Sequence, residues 1–503
     1  MRTMNKYQLT NYNIVTALSG LLLSFTCYGS SLESLKVTFF DVGQGNGTLV
    51  TCGSCPPLLV DCGSSSYSYR GTQFPERQIS KITEALKACT SPTFFLVVSH
   101  PDGDHYNWLP EILSEAEKNG RSVGNAWLGG IEGHYGSTKE LISTLKGNLG
   151  TDYASKVNFP TAGGPTSASI SIFNMPELSY TILPALSCGA NKTKESNESS
   201  LVVQVLYHGK AILLTGDATA KTFRHIGASL PKNVLVMLAS HHGAEPSENK
   251  NKADACNDQD LIKATEPFIV IFSSGRRRDY IHPRLKAVTS YALTQKTLGY
   301  TVNWHTLFCG MPSLSEAAGQ PPFLSLSDNY VVILTERPIF STLTHGTITC
   351  TIKPEQDGGA AVEQIEMDNP AIYDSARKAA LLFPLFETAG AFSHSEISAI
   401  RLGKLEIDDT DEDDAKLLID LLEVLKTKCP KLKTLILSNN RLASDTTFNY
   451  LVSLLETIDV RDVEIEGSEI ELSEETTEKL VDAWNLRGLK LQPPVESSDE
   501  EKD

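Results

Sequence analysis

A chain of 503 residues, 41% hydrophobic and 21% charged with a formal net charge of -17, exceeds one core of roughly 100 to 200 residues, so two or three units are expected. The acidic balance excludes a uniformly basic coat for a phosphate backbone and confines any nucleic-acid contact to a local patch. The hydrophobic fraction excludes general disorder, and with no second long apolar run the chain is not a multi-span membrane protein.

At the N-terminus, Arg2 and Lys6 precede an apolar stretch from Ile14 to Phe25 and small residues around Gly29 and Ser30. This pattern reads as a secretory signal over residues 1–29, removed on export, which places the chain in the periplasm or outside the cell with no membrane span. Thr16, Ser19, Ser24 and Thr26 interrupt the stretch, which is shorter than the ~20 apolar residues of a span. Cleavage removes Cys27 and leaves nine of ten cysteines, so at least one is free or pairs between chains, while disulfides among the others suit an exported protein.

Next come apolar, β-branched or aromatic runs bounded by turn residues: Leu35–Phe40, Leu58–Val60, Phe94–Val98, Leu201–Tyr207, Ala211–Thr215, Val234–Leu238, Phe268–Ser273 and Tyr330–Thr335. Several are apolar at successive positions, as in strands buried on both faces. Helical stretches at Glu76–Cys89 and Arg284–Leu298 lie between them, so residues 32–352 are expected to form a layered α/β unit. Residues 353–393 read as a connecting segment, flexible at Glu355–Gly359 and helical from Ala371 to Thr388. From His394 the texture changes. Leu432, Leu435, Leu437, Asn440 and Leu442 have the spacing of a leucine-rich repeat, in which the asparagine satisfies backbone groups in the turn. Strand starts at 397, 432, 460 and 486 give steps of 35, 28 and 26, with helical stretches between them. A short strand-helix solenoid over 394–492 follows, its concave face suited to a protein partner, and 493–503 is an acidic tail.

The chemistry concentrates at strand ends. Ser99-His100-Pro-Asp102-Gly-Asp104-His105 puts two imidazoles and two carboxylates on one tight loop after a buried strand, a donor set suited to zinc and, with this much oxygen, to manganese or iron. Leu213-Leu-Thr-Gly216-Asp217 and Ala239-Ser-His241-His242-Gly243 add a carboxylate and a histidine pair. Gly43-Gln-Gly45-Asn46-Gly47 is not a dinucleotide fingerprint, because Thr48–Thr51 continues as a strand where that motif needs a helix. It reads as a hairpin at the edge of the sheet, lining the mouth of the site.

With Phe39-Phe-Asp41-Val-Gly43-Gln-Gly45, Asp61-Cys-Gly63 and the later His282-Pro283, this series resembles the metallo-β-lactamase superfamily. The closer likeness is to its branch containing the hydrolase domain of bacterial DNA-uptake competence channels and the phosphorylcholine esterase. The resemblance covers about residues 35–352 and implies an αββα sandwich followed by the repeat solenoid. It implies one metal site from His100, Asp102 and Asp217, and a second from Asp104, His105, Asp217 and one of His241 and His242. One or two divalent ions, zinc first and manganese second, would acidify a shared water to hydroxide, with Asp104 counted among the catalytic groups. Asp61 would support the ligands as a hydrogen-bond acceptor. His282 would protonate a leaving group or bind an oxyanion, and Arg276, Arg277, Arg278 and Asn46 would meet the substrate. Two departures stand out. Asp102 replaces the histidine of many members, which disfavours β-lactam, thioester or lactone hydrolysis. Asn197 lies where most carry another histidine, with His134 and His208 as nearby substitutes. The expected activity is therefore hydrolysis of a phosphoester or phosphodiester, either nucleic acid or head group. The other class of reading is an interaction protein with a vestigial hydrolase domain.

Charge separates the two parts. Residues 391–503 hold 27 acidic and 13 basic side chains, a net of -14, whereas residues 1–390 hold 34 and 31, a net of -3. The arginine cluster thus sits in a nearly neutral unit, as an anionic substrate requires.

Overall fold

The computed structural model describes residues 33–135, 140–187, 197–244, 256–257, 259–277, 280–311, 323–326, 329–370, 372–382, 392–403, 405–465 and 472–486. The expected signal, Arg278 and the acidic tail lie outside them. Among the described residues no helix is long and apolar enough to cross a membrane, and no disulfide joins the described cysteines.

Two sheets face each other. The first has the strand order Ala360–Met367, Ile348–Pro354, Leu35–Phe39, Gly47–Cys52, Leu58–Cys62, Thr93–Val98, Ser122–Leu128, Val157–Asn158. The second runs Ile339–Ser341, Ile269–Phe272, Val236–Leu238, Lys210–Leu214, Val203–Tyr207, Leu178–Ile182, Ile170–Asn174. Val37, Phe39, Val50 and Val60 of the first meet Val203, Val205, Ile212, Val236 and Ile271 of the second in one core. Alternate side chains point outward, as the two-residue strand period requires. Thus Leu49, Leu59, Leu96 and Val98 pack on the helices Phe74–Ala88 and Leu109–Lys118. Leu213, Met237, Val270 and Phe272 pack on Ala220–Ile226, Gln259–Thr265 and Leu285–Leu298. Helix, sheet, sheet and helix form four layers. The hairpin expected at a sheet edge is instead central, because Gly47–Cys52 pairs with Leu35–Phe39 on one side and Leu58–Cys62 on the other.

A third sheet joins this unit to the C-terminal residues. Its order is Ile372–Tyr373, Trp304–Gly310, Tyr330–Thr335, Phe323–Ser325, Ala399–Arg401, Thr434–Ile436, Asp462–Glu464. The strand Tyr330–Thr335 is buried on both faces. Val331 and Ile333 belong to the core under Leu285–Leu298, whereas Tyr330, Val332 and Leu334 share a different core with Ile400, Leu402, Leu418 and Leu435.

The segment expected to be a connector is largely built into the fold. Ala360–Met367 is the edge strand of the first sheet, and Glu355–Gly359 is a tight turn in which the Glu355 N–H donates to the Gly359 carbonyl at 2.8 Å. Its charged, half-exposed pattern hid it, because an edge strand needs few apolar residues. Of the helix expected over 371–388, Ala376–Leu382 is helical, Ile372–Tyr373 is instead a strand paired with Trp304 and His305, and residues 371 and 383–388 lie outside the described residues.

Beyond it, Ala399, Thr434 and Asp462 stand in parallel register, separated by the helices Glu412–Lys428 and Asp445–Thr457. Leu486, expected to open a fourth strand, ends the helix Glu474–Leu486. Asn440 is 6% exposed and cross-links two units: its Oδ1 accepts from Leu405 N and Ile407 N, both at 3.2 Å, and its Nδ2 donates to the carbonyls of Leu402 (3.0 Å) and Leu437 (2.7 Å). Asn440→Ala leaves those buried groups unsatisfied and is expected to lower unfolding free energy by about 2–4 kcal/mol. Urea unfolding checks this, and an unchanged midpoint would contradict it.

Candidate metal centre

The parallel strands of both sheets end on the same side, where open α/β sheets hold their ligands. Leu58–Cys62 ends in Asp61 and Cys62, and Thr93–Val98 leads into Ser99-His100 and the one-turn helix Gly103–Tyr106 carrying Asp104 and His105. From the second sheet, Lys210–Leu214 leads to Asp217, Val236–Leu238 to His241 and His242, and Ile269–Phe272 to Ser273. Small residues allow the approach. A Cβ at Gly216 would lie 2.5 Å from the Ser99 Cβ, and one at Gly45 would lie 2.0 Å from the Gly63 carbonyl oxygen. Asp61, His241 and His242 sit at φ of 55°, 48° and 55°, a left-handed backbone that costs non-glycine residues energy and is held by its surroundings.

Asp217 is the hub. Its Oδ1 lies 3.2 Å from His105 Nε2 and 3.6 Å from His242 Nε2, and its Oδ2 lies 3.5 Å from His241 Nε2 and 3.8 Å from His100 Nε2. Asp104 Oδ2 is 3.6 Å from His242 Nε2, and Asp102 Oδ2 is 3.5 Å from His100 Nε2. One carboxylate therefore offers a separate oxygen to each of two clusters. His241 and His242 divide between them, His242 on the Asp104 and His105 side, His241 on the His100 side. Two triads bring one donor atom per residue within 4.8 Å of one another: His100, His105 and Asp217, and Asp104, His105 and His242.

The far side of each ring is held. Ser99 donates its N–H to Asp61 Oδ1 at 2.7 Å and its hydroxyl to Oδ2 at 2.8 Å, while Asp61 Oδ2 lies 2.9 Å from His105 Nδ1. His242 Nδ1 donates to the Ser273 carbonyl at 2.9 Å, and His241 Nδ1 is 3.4 Å from Cys256 Sγ. Each ring thus turns Nε2 inward, the orientation a metal ligand needs. His100 Nε2, His105 Nε2, His242 Nε2 and Asp217 Oδ1 are buried without a hydrogen-bond partner. Four convergent buried donors left unsatisfied are costly unless a cation binds them, so these residues fit a divalent metal.

Burial pushes the Asp217 carboxyl up, but His241, His105 and His242 outweigh it and hold it well below the carboxylate range. Burial likewise raises Asp104, and the facing His242 ring and the charge of His105 bring it below its ordinary value. His105 shows the reciprocal effect: burial lowers it, while Asp217 and Asp61 raise it well above the usual imidazole range. His282 is 4% exposed, its ring 5.9 Å from that of His241 and 6.4 Å from that of His242, and burial with those neighbours keeps it well below the ordinary value.

The residues expected at the substrate separate. Arg277 Nη1 donates to Ser65 Oγ at 2.8 Å, and that hydroxyl donates to Asp104 Oδ2 at 3.3 Å, so Arg277 borders the centre. Arg276 turns away and pairs with Glu396, Nη2 to Oε2 at 2.7 Å. Asn46, 2% exposed, does not face a substrate: its Nδ2 is 3.4 Å from His105 Nδ1. His208 sits in the turn before Lys210–Leu214, at the opposite end of a five-residue strand, ~17 Å away at 3.3 Å per residue. His134 is buried beside Pro101, with both within 3.3 Å of a Cβ placed on Gly130. Ser273 and Ser65 had no signal in the sequence beyond adjacency to a motif, Ser99 had none beyond opening one, and Cys256 had none at all, since its partner His241 lies 15 residues away.

Fold and site thus define a four-layered α/β unit with a paired histidine–aspartate centre. No family profile matches the chain. It is similar to Recombination protein 2 of Haemophilus influenzae, 27% identical over 253 residues, which are 50% of this chain and 26% of that protein. The chain therefore spans about a quarter of that curated relative. Similar solved structures are the short form of human tRNase Z (14% identity, TM-score 0.30, 49% of this chain and 94% of that one) and Zn(2+)-bound PqqB from Methylobacterium extorquens (15%, 0.23, 41% and 62%). A diphosphatase of the PhnP family gives 9%, 0.26, 48% and 87%. TM-scores of this size carry no argument about the chemistry.

His105 and His242 are both raised, so without a cation they retain protons above the ordinary value of about 6.5 and must lose them for Nε2 to bind metal. Zinc binding at pH 7 is expected to release protons and to tighten as pH rises. Titration calorimetry in buffers of different ionisation heat measures this, and a buffer-independent heat would contradict it.

Proposed function

We propose that this chain is an exported, metal-dependent phosphodiester hydrolase of the metallo-β-lactamase superfamily, carrying a leucine-rich-repeat unit that binds a protein partner. The carrying observation is Asp217, whose two oxygens serve two clusters of inward-turned donors. A divalent cation held by His100, His105 and Asp217, or by Asp104, His105 and His242, would supply Lewis acidity towards a phosphoryl oxygen and would lower the pKa of water to about 7. Zinc suits the donors best, with manganese second.

The chain's own groups do the remaining work. Asp61 and Ser99 fix His105, and the Ser273 carbonyl fixes His242, so neither ring reorients as charge develops. Arg277, at the mouth beside Ser65 and Asp104, presents a guanidinium to a non-bridging phosphate oxygen. His282, kept neutral, suits donating a hydrogen bond to an oxyanion more than carrying a proton to a leaving group. Similarity to a protein named for recombination favours a nucleic-acid or nucleotide phosphodiester over a head group. The retained Asp104, His105, Asp217, His241 and His242 support a working centre over a vestigial one.

His105→Ala and Asp217→Asn are expected to lower hydrolysis of bis(p-nitrophenyl) phosphate at least about a hundredfold. A chelator should abolish the same activity, with zinc or manganese restoring it. Activity surviving either substitution would refute the site, and turnover of nitrocefin in place of phosphodiesters would refute the substrate class.

A further inference from the structure

The loop that carries Arg277 is held from both sides. On the first-sheet side, Gly275 N–H donates to Gln44 Oε1 at 3.2 Å and Ser66 Oγ donates to the Arg276 carbonyl at 3.3 Å. A Cβ at Gly275 would lie 2.3 Å from Gln44 N, so this contact leaves no slack. On the other side stands the C-terminal unit. Arg276 forms a forked pair with Glu396, Nη2 to Oε2 at 2.7 Å and Nη1 to Oε1 at 3.3 Å, with side chains only 19% and 17% exposed. Its guanidinium also lies 4.4 Å from the centre of the Phe392 ring. Glu396 is itself fixed, because its Oε1 accepts from Ser393 N–H at 3.1 Å in a capping box. Tyr330, whose ring packs 5.2 Å from Phe392, accepts from Arg277 N–H at 3.2 Å through its hydroxyl.

We propose that Glu396 is a positioning residue for the hydrolytic site: by anchoring Arg276 it aims Arg277 at the anionic group of the substrate. The two adjacent side chains take partners on different sides of the loop, Arg276 at Glu396 and Arg277 at Ser65 beside Asp104, so fixing Arg276 in the C-terminal unit holds the backbone from which Arg277 reaches. A two-bond ionic fork resists rotation where a single contact would not. The C-terminal unit thus forms one wall of the site as well as a surface for partners. This rests on the phosphodiester reading of the centre, in which Arg277 binds substrate.

Glu396→Gln in the full chain tests it, since glutamine still serves the capping box through its Oε1, while the charge and the Oε2 acceptor for Arg276 are lost. KM for bis(p-nitrophenyl) phosphate is expected to rise about tenfold, the effect of one weakened charge-assisted contact, with kcat and zinc content unchanged. In an Arg277→Ala background the same substitution should add nothing, because it acts through Arg277. An unchanged KM, or an equal rise in both backgrounds, overturns the proposal. Hydrogen exchange separates the two readings. Loss of amide protection over 273–277 in Glu396→Gln is expected even if the wild type cleaves no phosphodiester, a result that would refute only the substrate class. Unaltered protection there overturns the anchoring itself.

Discussion

A single buried carboxylate sets the terms for the rest of the structure. Asp217 is 3% exposed, and an ion taken so far from water must be compensated at close range. Four imidazoles turn Nε2 towards it, two to each oxygen at 3.2 to 3.8 Å, and they are held from behind by different elements: Asp61, Ser99, the Ser273 carbonyl and Cys256. The strand ends of both sheets must converge for this to happen. The left-handed backbone at Asp61, His241 and His242 shows where the chain bends to meet that demand. Four layers of apolar packing provide the rigidity that holds such a bend.

The second constraint is the shared strand. Tyr330–Thr335 gives Val331 and Ile333 to one core and Tyr330, Val332 and Leu334 to the next, so the two cores are opposite faces of one sheet. Neither core can lose that strand and stay closed. The antiparallel pairing of Phe323–Ser325 with Ala399–Arg401 then continues the sheet into the parallel strands at Thr434 and Asp462. A boundary drawn where sequence texture changes, near His394, therefore falls inside one continuous body of packing. The fork between Arg276 and Glu396 bridges the same junction at the level of side chains.

How much of this was legible in the sequence follows from the range over which each signal acts. Buried parallel strands announce themselves through unbroken Val, Ile and Leu, as at Leu58–Cys62 and Ile269–Phe272, and the donor residues lie in short runs directly after them. Strand Ser122–Leu128 is hidden because Gly124 and Asn125 break its apolar pattern, and Ala360–Met367 because an edge strand exposes charged residues. The partner of Arg276 lies 120 residues away, and no local rule reaches that far. Asn46 is expected at the substrate from the resemblance carried by Gly43-Gln-Gly45, yet it is buried with its Nδ2 3.4 Å from His105 Nδ1, a placement that depends on a loop 59 residues away.

The acidity concentrated at the C-terminal end also has a physical explanation once the contacts are known. Asp411 caps the helix Glu412–Lys428 by accepting from Asp413 N and Asp414 N, and Glu412, Asp413 and Asp414 occupy the first turn, where the helix dipole favours negative charge. Asp409, 2% exposed, accepts from Ala443 N and Ser444 N of the next unit, and Asp414 pairs with Arg377 at 3.2 Å. Much of the run from Glu406 to Asp414 is therefore engaged by backbone groups and by two arginines, since Asp408 also pairs with Arg441 at 3.2 Å. Fields from exposed charges fade within about 8–10 Å at physiological salt. An anion at the metal centre thus responds chiefly to the groups that line it. Among the described residues, Arg277 reaches Asp104 through Ser65, and Glu396 of the C-terminal unit, which meets the same loop, is already neutralised by Arg276. Neutralising that one glutamate lets an acidic unit stand against the loop of Arg277 without setting a free negative charge beside it.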